Sequence, residues 1–453
     1  MKAKYSVISL LCLLLAGMLL TGCQNGSKTT LLSPQAAALA WLKQHALVLK
    51  TTDPAAPLDD LSILRPLIGN ASIVGLGEAT HGSHEFFAMK QRLFEFLVEK
   101  MGFTMMVMEG SWSVGEQINQ YIVEGKGTAQ HVLQLFQFWT WNTQEVLDLL
   151  QWMRTYNLDP RHQRKIAFAG FDCQMIDSTS YDSVIAYFRA VDPQRVATVT
   201  ALYRELHAEN EAGVGTYEDK YRTLPLATRE RYYQQAFQVY TSLSQQQRLY
   251  EQRSSPQRFA RVLQEARVIL QHTHTFGSSP NTGYRLREQS MAENIAWLHT
   301  QTPAGAKMVL WAHDIHIATT DDTTMGTYIR QRYGAQYLAI GMSFYTGLFN
   351  AHGLDSKNQA TPVQPFSATI AEPQSYNNVF GHVGPALYAI DLCQLPNGAA
   401  GQWLRGPRDL AMIGSVYNIP KSTGMNPWPL VQTFDIVIHI QHVTASHLLP
   451  FTL

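Results

Sequence analysis

The chain has 453 residues, 45% of them hydrophobic and only 15% charged, with 35 Lys+Arg against 35 Asp+Glu and so a formal net charge of +0. A neutral chain lacks the basic excess of nucleic-acid binders, and no nucleic-acid partner is expected. The 9 Trp, 20 Tyr and 19 Phe can bury enough apolar surface to offset ordering entropy, which excludes a disordered chain.

Lys2 and Lys4 precede an apolar run from Val7 to Leu20, followed by Thr21-Gly22-Cys23. The run falls short of the ~20 apolar residues of a spanning helix and reads as a secretory signal over residues 1–22. A small-residue pair directly before a Cys resembles the bacterial lipobox. That implies cleavage before Cys23, lipidation of its sulfur, and an exported protein anchored in the membrane, facing the periplasm or cell exterior. An ordinary signal peptide with a chance Cys is the other reading. Loss of Lys2 and Lys4 leaves the mature chain slightly acidic. Cys173 and Cys393 then remain as one disulfide or as two free buried thiols, too few for a Cys-based zinc site. CxxC, P-loop, GxSxG and HExxH motifs are absent.

After a tether over 23–35, Ala36–Leu49 has the spacing of an amphipathic helix. Ser72–Gly77 is strand-like, Glu85–Met101 helical and Phe103–Met108 strand-like, a strand–helix–strand unit that favours parallel pairing. Helical patterns follow at Val114–Val123 and Thr143–Tyr156, and Lys165–Phe171 supplies a third strand. From 181 to 299 the pattern is helical throughout, with Phe259, Val262, Leu263, Ala266, Ile269 and Leu270 on one face. Strands resume at Ala306–Trp311, Tyr337–Met342, Leu387–Asp391 and Phe434–Ile440. Asn350–Gly384 and Asn418–Pro429 read as long connections. The expected fold is α/β, a central mainly parallel or mixed sheet flanked by helices. Residues 36–180 and 300–453 form its body, and 181–299 an inserted all-helical lobe, either a substrate-shaping cap or packing mass.

Ionisable residues gather where buried strands end. Glu78 and His81 follow the first strand, Glu109 the second, Asp172 the third, and His313, Asp314 and His316 the fourth. Ligands of open α/β sheets bind beyond the carboxyl ends of strands, so these segments should converge on one crevice. Each residue alone has a structural explanation as a cap or ion pair; four successive strand ends in a charge-poor chain are harder to explain that way. In Gly77-Glu-Ala-Thr-His-Gly82 the glycines allow a tight turn and close backbone approach, and Glu78 can orient the His81 imidazole as a general base. The following helix start offers N–H groups for an oxyanion. His81-Gly-Ser-His84 and His313-Asp-Ile-His316 are both HxxH, which keeps open a metal site built from His81, His84, His313 and His316. His272 and His274 read as surface residues. Ser343 lacks a glycine elbow and Cys173 a basic partner, so water activated directly by a His–Glu couple is the economical mechanism.

Ile73-Val-Gly-Leu-Gly-Glu-Ala-Thr-His-Gly82, Glu85-Phe-Phe87, Lys90-Gln-Arg-Leu93, Met108-Glu109, Phe138-Trp-Thr-Trp141 with Glu145, and Gly170-Phe-Asp172 resemble the erythromycin esterase family. The resemblance resumes at Arg287, Met291-Ala-Glu-Asn294, Trp311-Ala-His-Asp-Ile-His316, Met325-Gly326 and Met412-Ile-Gly414, covering nearly the whole mature chain. It implies hydrolysis of a small-molecule ester or lactone, macrolide ring opening being the name-giving activity, in an α/β fold with its cleft between sheet and helices; no cofactor is expected, with a metal the less favoured alternative. Carried over by position, it makes His81 the general base with Glu78 its partner, and Glu109 and His313 catalytic. Arg92, Asp172, Arg287 and His316 match the motifs as substrate-binding candidates. Phe138, Trp139 and Trp141 are either cleft lining or core. Two positions depart from the pattern: His84, where variability is expected, and Asp314, where Asn is common. A non-enzymatic reading also stays open, an anchored protein whose histidines hold haem or another small ligand.

Overall fold

The computed structural model describes residues 32–211, 221, 223–303, 305–320, 323–357, 359–417 and 425–451. The signal segment, Cys23, most of the tether and the first part of the Asn418–Pro429 loop, 418–424, lie outside the described residues. Eleven strands are described. β1 (Leu47–Val48), β2 (Ile73–Leu76), β3 (Met105–Ser111) and β4 (Ala167–Asp172) precede a long helical stretch, and β5 (Met308–Trp311) and β6 (Tyr337–Leu354) follow it. After them come β7 (Ala360–Thr369), β8 (Leu387–Asp391), β9 (Arg408–Ala411), β10 (Met425–Trp428) and β11 (Ile436–Val443).

Nine of these strands form one mixed sheet in the order β1-β8-β11-β6-β2-β5-β3-β4, with β7 paired to β6. From β11 to β4 every neighbour is parallel, whereas β8 joins β11, β1 joins β8 and β7 joins β6 in antiparallel fashion. All four residues of β2 and of β5 are buried, the continuous apolar pattern of strands covered on both faces. β9 and β10 make a separate two-stranded ribbon.

The helix expected from Glu85 runs His84–Met101, and every residue from Phe86 to Val98 is buried. It therefore carries Lys90, Arg92 and Glu95 into the interior, where each charge needs a partner. The first helix ends at His45 rather than Leu49, because Leu47–Val48 pair with β8 instead. Between Ser178 and Gln301 the described elements are all helical. Among them, the Pro280–Gln301 helix is tied to the sheet by Asn294 Nδ2, which donates to the Phe171 carbonyl at 3.0 Å.

The stretch Asn350–Gly384, expected as a connection, is largely ordered: β6 continues to Leu354 and β7 pairs back along it. Pro362 and Pro365 sit in β7, an edge strand bonded on one side only, where a missing N–H is tolerated. Cys173 is buried, Cys393 exposed, and both are free thiols. No described helix is long and apolar enough to cross a membrane.

Candidate active site

β2, β5, β3 and β4 are successive neighbours in the sheet, so the ends that carry Glu78, His313, Glu109 and Asp172 stand in a row. The β3–β4 register shifts between Met108 and Ser111, an irregularity at Glu109 of the kind that re-aims a side chain.

The turn after β2 is held from several directions. Ile413 N–H donates to the Ala79 carbonyl at 2.5 Å, and Ser446 and Asn350 N–H both donate to the Gly82 carbonyl, at 2.9 and 3.0 Å. Neither Gly77 nor Gly82 has a positive φ, so space alone demands glycine. A Cβ on Gly82 would lie 2.0 Å from the Asn350 carbonyl oxygen, and one on Gly77 1.8 Å from Asp314 Oδ1. His81 Nδ1 meets Glu78 Oε1 at 2.9 Å, while the other oxygen of Glu78 accepts from Lys90 Nζ. Lys90 also donates to the Ala312 carbonyl at 2.9 Å and lies 4.7 Å from the centre of the Trp311 ring. Since Glu78 takes the Nδ1 proton, His81 Nε2 carries the lone pair. Burial pushes the His81 imidazole down to about 4, so it is neutral at ordinary pH. The Trp141 ring packs edge-on against it with centroids 5.4 Å apart.

A second cluster adjoins the first. Glu109 Oε1 accepts from Arg287 Nη2 at 2.9 Å and from His316 Nε2 at 3.1 Å, and its Oε2 accepts from the His313 N–H at 3.0 Å. Arg287 also grips Asp172, with Nε to Oδ1 at 3.0 Å and Nη2 to Oδ2 at 2.5 Å. His316 Nδ1 meets Glu288 Oε1 at 2.6 Å, and Glu288 Oε2 takes the Met325 N–H at 2.8 Å. Burial lowers the His316 imidazole, but Glu109 and Glu288 outweigh it and hold it up at about 10, an imidazolium at neutral pH. Burial raises Glu109, and the facing His316, His81 and Arg287 nonetheless keep it well below the ordinary carboxylate range. Arg287 Nη1 faces His316 Nε2 across 3.5 Å, where two cationic N–H groups cannot bond to each other. That guanidinium edge keeps donors for a ligand.

His313 is fixed by the backbone. Its Nδ1 accepts the Ile315 N–H at 3.2 Å and its Nε2 donates to the Ile413 carbonyl at 3.2 Å, which sets the neutral Nε2–H tautomer. Burial holds it well below the usual histidine range. Its ring lies 5.0 Å from His81, centroid to centroid, as a wall of the site. Next to it, Asp314 Oδ1 accepts the Met342 N–H at 3.1 Å, whereas Oδ2 is buried without a hydrogen-bond partner. Burial raises the Asp314 carboxyl to about 8. A raised acid holds its proton in the fold and releases it on unfolding, so stability falls as pH climbs from 3.8 to about 8 and levels off above. Asp314→Asn removes that dependence. Its melting temperature should exceed the wild type's by several degrees at pH 8 and by much less at pH 5, as scanning calorimetry would show.

Most of the expected residues come together: Glu78, His81, Glu109, Asp172, Arg287, His313 and His316. Arg92 does not join them. Its guanidinium is taken by Asp60, with Nη2 to Oδ1 at 2.6 Å, and by the Pro57 carbonyl, so it ties its helix to the turn at Asp59–Leu64. His84 turns away to Glu145 and His447, which removes it from a four-histidine metal site. With His313 and His316 bonded through both ring nitrogens, His81 Nε2 is the one free imidazole nitrogen of the cluster, too little for that metal site or for a two-imidazole haem. His272, expected at the surface, is buried with Nδ1 at 2.8 Å from the Cys173 carbonyl; His274 is exposed. Trp141 is buried and Trp139 half-buried. Sequence reasoning missed Lys90 and Glu288. Lys90 had a signal, a lone cation within an apolar helix face; Glu288 had only its place beside Arg287.

A mixed α/β sheet thus carries a carboxylate-fixed imidazole just beyond β2, an arrangement with the chemistry for hydrolysis. A family model described as erythromycin esterase matches residues 98–443, and the chain belongs to that family. Glu78, His81 and Lys90 precede the matched span, and the other site residues lie within it. The chain is similar to putative hydrolase YbfO of Bacillus subtilis (strain 168), 21% identical over 438 residues, 90% of this chain and 91% of the relative. It is 23% identical to erythromycin esterase type II of Escherichia coli over 333 residues, 68% of this chain and 77% of the relative. Among solved structures, a Bacillus cereus protein superposes with a TM-score of 0.80 at 30% identity, over 92% of this chain and 99% of that one. A mutant of the erythromycin esterase EreC in its open conformation shares the fold, with a TM-score of 0.69 at 15% identity over 89% of this chain and 98% of that one.

Proposed function

We propose that this hydrolase cleaves a carboxylic ester or lactone of a small molecule by direct attack of water, with His81 as general base. The carrying observation is the His81 ring: Nδ1 held by buried Glu78, and Nε2 neutral and unengaged. His81 Nε2 takes a proton from water as the oxygen attacks the acyl carbon. Glu78 stabilises the resulting imidazolium, which then returns the proton to the leaving alkoxide. Arg287 supplies positive charge for the developing oxyanion through Nη1, while Glu109 and Asp172 fix its guanidinium plane. His313 shapes the cleft wall, and His316 stays protonated and holds Glu109. No step in this reading needs a metal or a cofactor.

The fixed cationic edge suits a carbonyl that becomes an oxyanion, and membership of the erythromycin esterase family makes a macrolactone the first substrate to try. The Lys2/Lys4, apolar-run and Thr-Gly-Cys pattern supports an exported protein anchored through lipid on Cys23. Ring opening there would inactivate a macrolide outside the cytoplasm. Incubation with a panel of macrolides and simple esters, read by mass spectrometry, tests the reading. The expected product is one water heavier for a lactone, or an acid and an alcohol for an ester; no turnover across the panel counts against it.

A further inference from the structure

His84, Glu145 and His447 come together outside the cluster around His81. His84 opens the His84–Met101 helix, Glu145 lies in the first turn of the Gln144–Leu158 helix, and His447 follows β11. Both imidazole Nδ1 atoms meet the same carboxylate oxygen, Glu145 Oε1, at 2.6 and 2.7 Å. The three potential ligand atoms all fall within 4.8 Å of one another. The rings stand at 77° with centroids 5.0 Å apart, so their nitrogens converge on one locus instead of stacking.

We propose that His84, Glu145 and His447 bind one divalent cation of the zinc class, which fastens the segment 444–449 to the starts of two helices beside the catalytic turn. Two imidazoles and one carboxylate are the donor set of zinc and its neighbours, whereas magnesium and calcium take mostly oxygen. With bonds of about 2.1 Å in a tetrahedron, ligand atoms sit about 3.4 Å apart. Each imidazole therefore has to back away from Glu145 by less than about 1 Å, and His447, 65% exposed, has the room. Solvent would take the fourth position.

Two helix starts present partial positive charge, which opposes a cation. Glu145 answers it directly, and Glu85 and Asp148 lie close enough to add negative potential at His84. Each imidazole would give up its contact with Glu145 Oε1 to offer a ring nitrogen to the cation.

The segment it would fasten already bridges both helix starts. The His84 N–H donates to the Thr444 carbonyl and the Gln144 N–H to the His447 carbonyl, each at 2.9 Å. Ser446 N–H reaches the Gly82 carbonyl and Leu449 N–H the Asn142 carbonyl, also at 2.9 Å. Gly82 follows His81, and Asn142 follows the Trp141 that packs on it, so the cation would stiffen the wall behind the base.

Calorimetric titration of the full chain with zinc chloride, and thermal unfolding with and without it, test the proposal. Wild type should bind one more zinc per chain than His447→Ala, with micromolar affinity and a melting temperature raised by several degrees. Affinity should fall at least tenfold in both His447→Ala and His84→Ala. The melting temperature of His447→Ala without zinc should stay within about a degree of wild type, as befits an exposed side chain. Equal zinc uptake by wild type and both variants, no uptake at all, or equal stabilisation by magnesium overturns it. The readout is binding, so it stands apart from whether any ester is cleaved.

Discussion

His81→Ala is expected to lower kcat/KM by about a thousandfold toward whichever ester or lactone the mass measurement identifies, the middle of the range for a lost general base. Glu78 keeps its bond to Lys90 in that variant, so the melting temperature should move by no more than a few degrees. Wild-type kcat/KM should show the matching pH dependence. Neutral His81 is the active form and its imidazole is held at about 4, so the rate should be flat near neutrality and fall only as pH drops toward that value. A His81→Ala enzyme of unchanged activity, or a wild-type acid limb near the ordinary histidine value of about 6.5, removes His81 from the role assigned here.

The second large effect concerns stability. Arg287→Ala strands the buried Asp172 carboxylate and takes from buried Glu109 one of its two cationic partners, leaving it His316. Removing one partner of a buried ion cluster costs about 3–5 kcal/mol, because the charges left behind stay desolvated. Urea unfolding at neutral pH should show that loss, and mild acid should recover part of it by protonating the stranded group. A loss below about 1 kcal/mol, the worth of an exposed pair, would contradict the burial. His316 adds a dependence at the other end of the scale. Its folded value lies above the unfolded one, so its contribution is complete below pH 6.5 and is lost as pH rises through about 10.

Much of this was legible from residue patterns. Apolar runs ending in a charged residue marked β2, β3, β4 and β5, and because a parallel sheet aligns its carboxyl ends, the row of Glu78, His313, Glu109 and Asp172 followed from topology alone. What pattern could not supply was pairing across space. Arg92 and Lys90 lie two residues apart on one buried helix, yet one meets Asp60 and the other Glu78, a difference of helix face that carries no local signal. Glu288 became visible only once the Pro280–Gln301 helix brought it to His316. Prolines in β7 spoke for a loop because pattern does not reveal that a strand lies at an edge.

The turn that bears His81 is hydrogen-bonded to Ile413 and Ser446, residues from the far end of the chain. Such pairings close very long loops, which slows folding and places these contacts late in it. A growing polypeptide therefore carries His81, the general base proposed above, long before the contacts that hold its turn can form. Until Ile413 and Ser446 dock, the turn lacks these backbone anchors, and the arrangement proposed for catalysis is complete only once the segments after β9 and β11 are in place.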